Sequence, residues 1–310
     1  MKMISKTDRI SVRYHSNTYD ENELNSHMFI EDFGQNVVPI YGSKSEAVTC
    51  RLEPDNKEIM KSLYELLPSH RQHYRPSFNE IILETIEYIA QHLVNRGFLV
   101  LELVKYIDVN ESEFYKLETV YGKDIKIKKD ILTQIIPDDV AQELGKNKID
   151  IPLKKCIVIE FPKSLGGKEK YLQFLKDFRE LAKQSPMMNF LNNPLQGQAG
   201  YNLTEHQRLH DIELWKVTKI YNWPHRESSG EKFSGFYHIY RHLLFRKNKI
   251  KLRDYVIEEL QKIISTLSEL VLEQKAELKI EGLLTIDIVE EKLEQWKTGE
   301  LDPKTISDVL

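Results

Sequence analysis

Ser77, with Glu80 three positions on, and Gly97 enclose a stretch that reads as one helix and leaves no linker before the strand that follows. Ser at an N-cap with Glu at the third helical position satisfies two orphaned N–H groups, and glycine suits the left-handed residue that stops a helix. Phe78, Ile81, Ile82, Ile86, Ile89, Leu93 and Val94 recur at helical spacing, which places Glu80, Glu84, Glu87 and Gln91 on a solvated face. FLVLELVKYI follows at once as a largely buried strand. Strand and helix signals mix through the first 165 residues, and from Lys168 helical patterns take over. The chain therefore reads as α+β, with a mixed α/β N-terminal half and a mainly helical C-terminal half carrying one long helix.

Weaker signals fill in the rest. Residues 47–52 read as a short strand, 55–67 as a helix begun near Pro54, and 113–121 with 124–128 as a hairpin around Gly122-Lys123. KCIVIEF at 155–161 reads as another buried strand, stopped by Pro162. Helices are expected over 168–184 and 203–220, with a loop over 222–235. A long helix is expected from about 249 to 278, with Val256, Leu260, Ile263, Leu267 and Leu270 as its packing seam. Two short helices close the chain, at 286–297 and from Pro303. Residues 185–202 hold two Pro and two Gly among several Asn and Gln, so they separate an expected domain 1–184 from a helical domain 203–310.

A chain of 310 residues, 41% hydrophobic and 30% charged, can bury a substantial core. Its two cysteines, Cys50 and Cys156, are too far apart in sequence to suggest a zinc site or a disulfide framework, which favours a reducing compartment. The first thirty residues lack the apolar core of a secretory signal, and FLVLELV is far shorter than a membrane span. The expectation is a soluble protein with no membrane partner, located in the cytoplasm, or in the virion if phage-encoded.

The net charge of −4 confines any polyanion contact to a local patch. One candidate exists. KFSGFYHIYRHLLFRKNKIKLR, from Lys232 to Arg253, holds seven Lys/Arg, no acid, and five Phe or Tyr. Phosphates need cations and unstacked bases need flat apolar partners, so Arg241, Arg246, Lys247, Lys249, Lys251 and Arg253 are candidate phosphate contacts. Phe236, Tyr237, Tyr240 and Phe245 are the candidate stacking residues. About six phosphate contacts would cost roughly three orders of magnitude in affinity between 50 and 200 mM salt. The following residues, 254–310, hold fourteen Asp/Glu against six Lys/Arg, so pairing of stripe and tail, within the chain or between copies, is the competing reading.

Five of the ten histidines, His206, His210, His225, His238 and His242, lie beside or within the stripe. His206/His210 and His238/His242 are each four apart and share a helix face, so His206 and His210 could chelate a metal given Glu205, Asp211 or Glu213 as a third ligand. The metalloprotease pattern needs Glu after the first His, and Gln207 and Ile239 stand there instead. Hydrogen-bonding histidines beside an anion site are the preferred reading, their protonation strengthening phosphate binding as pH falls towards about 6. Trp215, Tyr221 and Trp223 read first as packing residues.

Other motifs are weaker. Ser164-Leu165-Gly166-Gly167-Lys168 lacks the spacing and closing hydroxyl of a nucleotide P-loop. Glu102 with Lys105, and Glu160 with Lys163, approach the Glu-x-Lys of metal-dependent nucleases but carry one residue too many, which turns the lysine to the opposite strand face. Arg71, Tyr74 and Arg75 form a second, smaller basic-aromatic loop.

The order of parts resembles phage portal-type proteins over residues 60–275: a helix leading into GFLVLELV, then YHIYRHLLFRKNKIKLRDYVIEELQKI entering a long helix. The resemblance implies a wing-like α/β domain and long helices lining a DNA channel in a ring of subunits. A cellular relative or a host-defence component with a similar core fits equally. The reading taken from the sequence is a non-enzymatic assembling protein that binds nucleic acid or another polyanion, without a cofactor, as a homo-oligomer or with an acidic protein partner. The alternatives are a metal-dependent nuclease using a histidine site and a protein–protein adaptor.

Overall fold

The computed structural model describes residues 4–13, 24–39, 47–68, 77–121, 124–183, 200–225 and 235–301. The elements are β1 (Ile4–Thr7), α1 (Leu24–Gly34), β2 (Thr49–Glu53), α2 (Lys57–Leu66), α3 (Phe78–Arg96), β3 (Phe98–Asp108), β4 (Glu113–Thr119), β5 (Asp124–Lys128), β6 (Ile131–Ile135), α4 (Asp138–Leu144), β7 (Lys148–Pro152), β8 (Cys156–Glu160), α5 (Gly167–Lys183), α6 (Leu203–Thr218), α7 (Gly235–Leu272), β9 (Glu277–Glu281) and α8 (Ile286–Thr298). The α+β class holds, with strands concentrated in the first half and the long helix in the second.

Helix α3 is the hub. Ser77 Oγ accepts from the Glu80 N–H, Glu80 Oε2 accepts from the Ser77 N–H at 2.6 Å, and Gly97 closes the helix at φ 73°. Its wet face does not exist. Every residue from Ile81 to Ala90 is buried, Glu84 and Glu87 at 4% and 6% exposure among them, because α1, α7, β2 and β3 surround the helix. Helical spacing alone identified one apolar stripe and could not see that a second and third element cover the others. The Glu87 carboxylate accepts the backbone N–H groups of Asn36 and Val37, just beyond α1. Burial raises its pKa against the pull of these donors and of Lys249.

Strand β3 is the spine of the main sheet. Antiparallel β4 lies on one side, while β8 and β1 share the other, against its first and last residues respectively. The expected hairpin over 113–128 is corrected: β4 pairs with β3, and β5 pairs with β6, which pairs with β7 in a separate sheet. Leu132 and Ile151 of that small sheet pack on Val100 and Val120. Glu102, fully buried, accepts from the Ile10 and Ser11 N–H groups at 2.8 and 2.9 Å, which fixes the N-terminal segment across the main sheet.

The expected division at 185–202 does not separate two cores. The main core joins Phe29, Phe33, Ile86, Phe174 and Phe178 to Tyr221, Trp223, Val256, Leu260 and Leu278. Residues 184–199 of that expected linker, the terminal helix from Pro303 and the 71–75 loop lie outside the described residues. Val256, Leu260, Ile263 and Leu267 face the core as their spacing implied. Helix α7 begins earlier than expected, at Gly235, so the stripe is itself helical, and its 38 residues extend about 57 Å. Strand β9 stands where helix was expected to continue, pairing with β2. No helix among the described residues is long and apolar enough to cross a membrane.

Candidate functional site

A helix turns about 100° per residue, so the cations of the stripe cannot share one face, and their neighbours decide what each one does. Lys249 Nζ lies 2.6 Å from the Gln35 carbonyl oxygen, and Arg246 Nη1 3.5 Å from that of Asn36. Both sit at the C-terminal end of α1, where the helix dipole favours positive charge. Burial lowers the Lys249 pKa to about 8, with Arg246 adding repulsion and Glu87 and Asp32 opposing it. Arg253, 3% exposed, turns its guanidinium to Asp254 at 2.6 and 2.8 Å. Phe245 is 7% exposed and packs 5.6 Å from Phe33. These four are structural, so the expectation of one outward cationic, ring-bearing face is corrected.

The acidic tail does lie against the stripe. Helix α8 packs on the first half of α7, with Leu243 and Ile250 against Val289, Leu293 and Trp296. Lys247 Nζ pairs with Glu290 Oε1 at 2.5 Å across this contact. Lys247 lowers the Glu290 pKa, and Lys251 adds a weaker pull. A pair of this kind contributes little to stability and exchanges readily with other anions.

The N-terminal turns of α7 carry the aromatic part. Phe236 is 47% exposed and stacks on Trp296 at 5.1 Å and 19°, while Trp296 Nε1 donates to the Phe236 carbonyl oxygen. Tyr237 is 44% exposed and stacks on Trp215 at 5.8 Å and 21°, with Tyr240 at 6.4 Å. On Trp215 also rests Arg241, its guanidinium carbon 3.4 Å from the ring centroid. Arg241 is 4% exposed, and burial lowers its pKa to about 10. Its Nη1 is buried and meets no hydrogen-bond partner among the described residues. An orphaned buried donor of this kind costs about 1–3 kcal/mol.

Beside Arg241, burial holds His225 and His242 neutral. Thr218 donates to the Leu214 carbonyl at 2.7 Å, so its oxygen accepts from His225 Nε2 at 3.2 Å. Burial, then Arg241 and His210, hold the His225 pKa at about 3. Burial, then His238 and Arg241, hold that of His242 at about 4. His242 and His238 meet Nε2 to Nε2 at 2.8 Å. His206 Nδ1 meets the Tyr201 hydroxyl at 2.8 Å, and His210 is 7% exposed with its pKa lowered by burial. The expected gain of histidine charge near pH 6 is thus corrected for His210, His225 and His242. Among the described residues no group of three His, Cys, Asp or Glu side chains could hold a metal, so His206 and His210 lack the third ligand they would need.

Tyr221 and Trp223 are core residues, Trp223 donating to Asp32 at 2.9 Å and Tyr221 to the Leu165 carbonyl at 3.1 Å. Lys168 of the glycine turn reaches Glu160 at 2.9 Å and lies 4.7 Å from the Phe98 ring, an ion pair that does not need a phosphate. The pairing of Trp215 with Arg241 is what sequence reasoning missed. Each residue was noticed alone, and no local spacing links α6 to α7. Compared with protein-family models, curated proteins and solved structures, the chain gives no match in any of the three.

Proposed function

We propose that the protein is a non-enzymatic binder of single-stranded nucleic acid, with bases stacking on Phe236 and Tyr237 and phosphates reaching Lys247 and Lys251. The observation that carries this reading is that two neighbouring aromatic rings remain nearly half exposed while a tryptophan backs each one. Base–aromatic stacking contributes about 1–3 kcal/mol per base and tolerates any sequence. A backed ring is already ordered, so little side-chain entropy is lost on binding. Lys247 and Lys251 are spaced along the same helix and can follow a backbone at modest cost, since Glu290 holds Lys247 through a single ion pair at the surface.

The test is fluorescence anisotropy of labelled oligo-dT with wild type and Phe236→Ala/Tyr237→Ala. The double variant should lose at least about tenfold in affinity. Unchanged affinity removes the stacking reading. Assembly into a portal-type ring, in the cytoplasm or a virion, belongs to the same proposal and is tested by mass in solution with and without oligo-dT. A monomer under both conditions removes the ring.

A further inference from the structure

We infer that His238 and His242 form a two-imidazole clamp for a divalent transition-metal ion of right-angle coordination geometry, nickel(II) or copper(II). This goes beyond the stacking platform and uses none of the residues assigned to it. One contact carries the inference: the two Nε2 atoms face each other at 2.8 Å. The spacing of four along α7 puts both rings on one helix face, with ring centroids 4.3 Å apart and planes at 65°. His206 and His210 share that spacing without the convergence. His206 turns Nδ1 to the Tyr201 hydroxyl, and buried His210 bonds the backbone of Leu181. Spacing offers a chelate, and only in the first pair do the rotamers complete it.

Two ring nitrogens at hydrogen-bond distance hold one proton between them, since one must donate and the other must offer a lone pair. The donor ring has only to carry its proton on Nδ1 instead for both Nε2 lone pairs to point into the same space. With metal–nitrogen bonds of about 2.0–2.1 Å, two ligands at right angles stand about 2.9 Å apart, and two at the tetrahedral angle about 3.4 Å. The observed 2.8 Å matches neighbouring corners of a tetragonal ion. Tetrahedral zinc would need the rings to part by about half an ångström. Among the described residues no group of three His, Cys, Asp or Glu includes the pair, so the other positions on the ion belong to water or an incoming ligand. Both rings are only partly buried, and Tyr237 beside them is 44% exposed, so solvent reaches this turn of the helix. The full charges acting on His242 oppose each other, Arg241 repelling a cation and Asp32 attracting one.

The experiment is titration calorimetry of the full chain near neutral pH with nickel(II) chloride and zinc chloride in a non-chelating buffer. Saturable nickel binding, with zinc binding more weakly, is the expected result. His238→Ala and His242→Ala should each weaken nickel binding by at least about tenfold. Copper(II) on the wild type should show two imidazole nitrogens in its electron paramagnetic resonance spectrum, and one in either variant. Absence of saturable nickel binding overturns the inference, as does zinc binding at least as tight as nickel. Unchanged nickel affinity in the variants overturns it too, and so does a wild-type copper spectrum with fewer than two imidazole nitrogens. The wild-type spectrum and the nickel–zinc comparison decide the matter even if a variant fails to fold.

Discussion

Lys249 Nζ lies 2.6 Å from the carbonyl oxygen of Gln35, so a lysine of the long helix closes the open end of the first one. Asp32 and Glu87 both favour its charged form. Lys249→Glu would put a carboxylate into a carbonyl-rich, acidic environment and should cost about 3 kcal/mol or more. Lys247→Glu with Lys251→Glu, on the α8 side, should stay within about 1 kcal/mol of wild type. Urea midpoints at unchanged m-value measure the contrast, and equal losses for the two variants would contradict the structural role given to Lys249.

The division of the stripe changes the expected salt response. With Lys247 and Lys251 as the phosphate contacts, the slope of log affinity against log salt should be about −1.4, a loss of less than roughly tenfold between 50 and 200 mM. The full stripe would have lost about three orders of magnitude. A slope steeper than about −3 in the oligo-dT titration would restore the buried cations to the contact surface.

Acid should unfold the protein through its neutral histidines. The folded-state values of His225 and His242, about 3 and about 4, lie below the ordinary 6.5. Between those values and 6.5 the unfolded chain binds more protons, so the stabilisation is complete above 6.5 and is lost as pH falls through the window. The loss by the lower end is on the order of 3 kcal/mol, discounted for partial solvent access. His225→Gln should flatten the slope of stability against pH below 6.5, and an unchanged slope would argue against a buried neutral His225.

Glu102 offers a test of the sheet. Glu102→Ala leaves the Ile10 and Ser11 N–H groups without their acceptors and should cost about 2–4 kcal/mol. Hydrogen exchange at those two amides should accelerate more than exchange in α3. Uniform acceleration would show instead that the loss is global.

The sequence made some of this plain and concealed the rest for physical reasons. Local chemistry was legible: the Ser77–Glu80 capping box, the Gly97 stop and the Val256–Leu267 seam follow from neighbours within a turn or two. Strands β6, β7 and β9 were not, because five-residue strands carry little periodicity and owe their existence to distant partners. Glu84 and Glu87 looked solvated because carboxylates usually are, and their burial depends on elements far along the chain. At the candidate site the same limit applied. Composition located the basic-aromatic segment, but Gln35, Asp254 and Glu290 decided which cations were engaged.

The pairing of Thr49 with Glu281 through Glu53 with Glu277 has a consequence for biosynthesis. When β2 leaves the ribosome, nearly the whole remaining chain must still be translated before its partner exists. Its apolar side, Cys50 and Leu52, has to be shielded by other means until then. Premature termination ahead of β9 should therefore yield nascent chains that engage chaperones rather than shortened, functional ones.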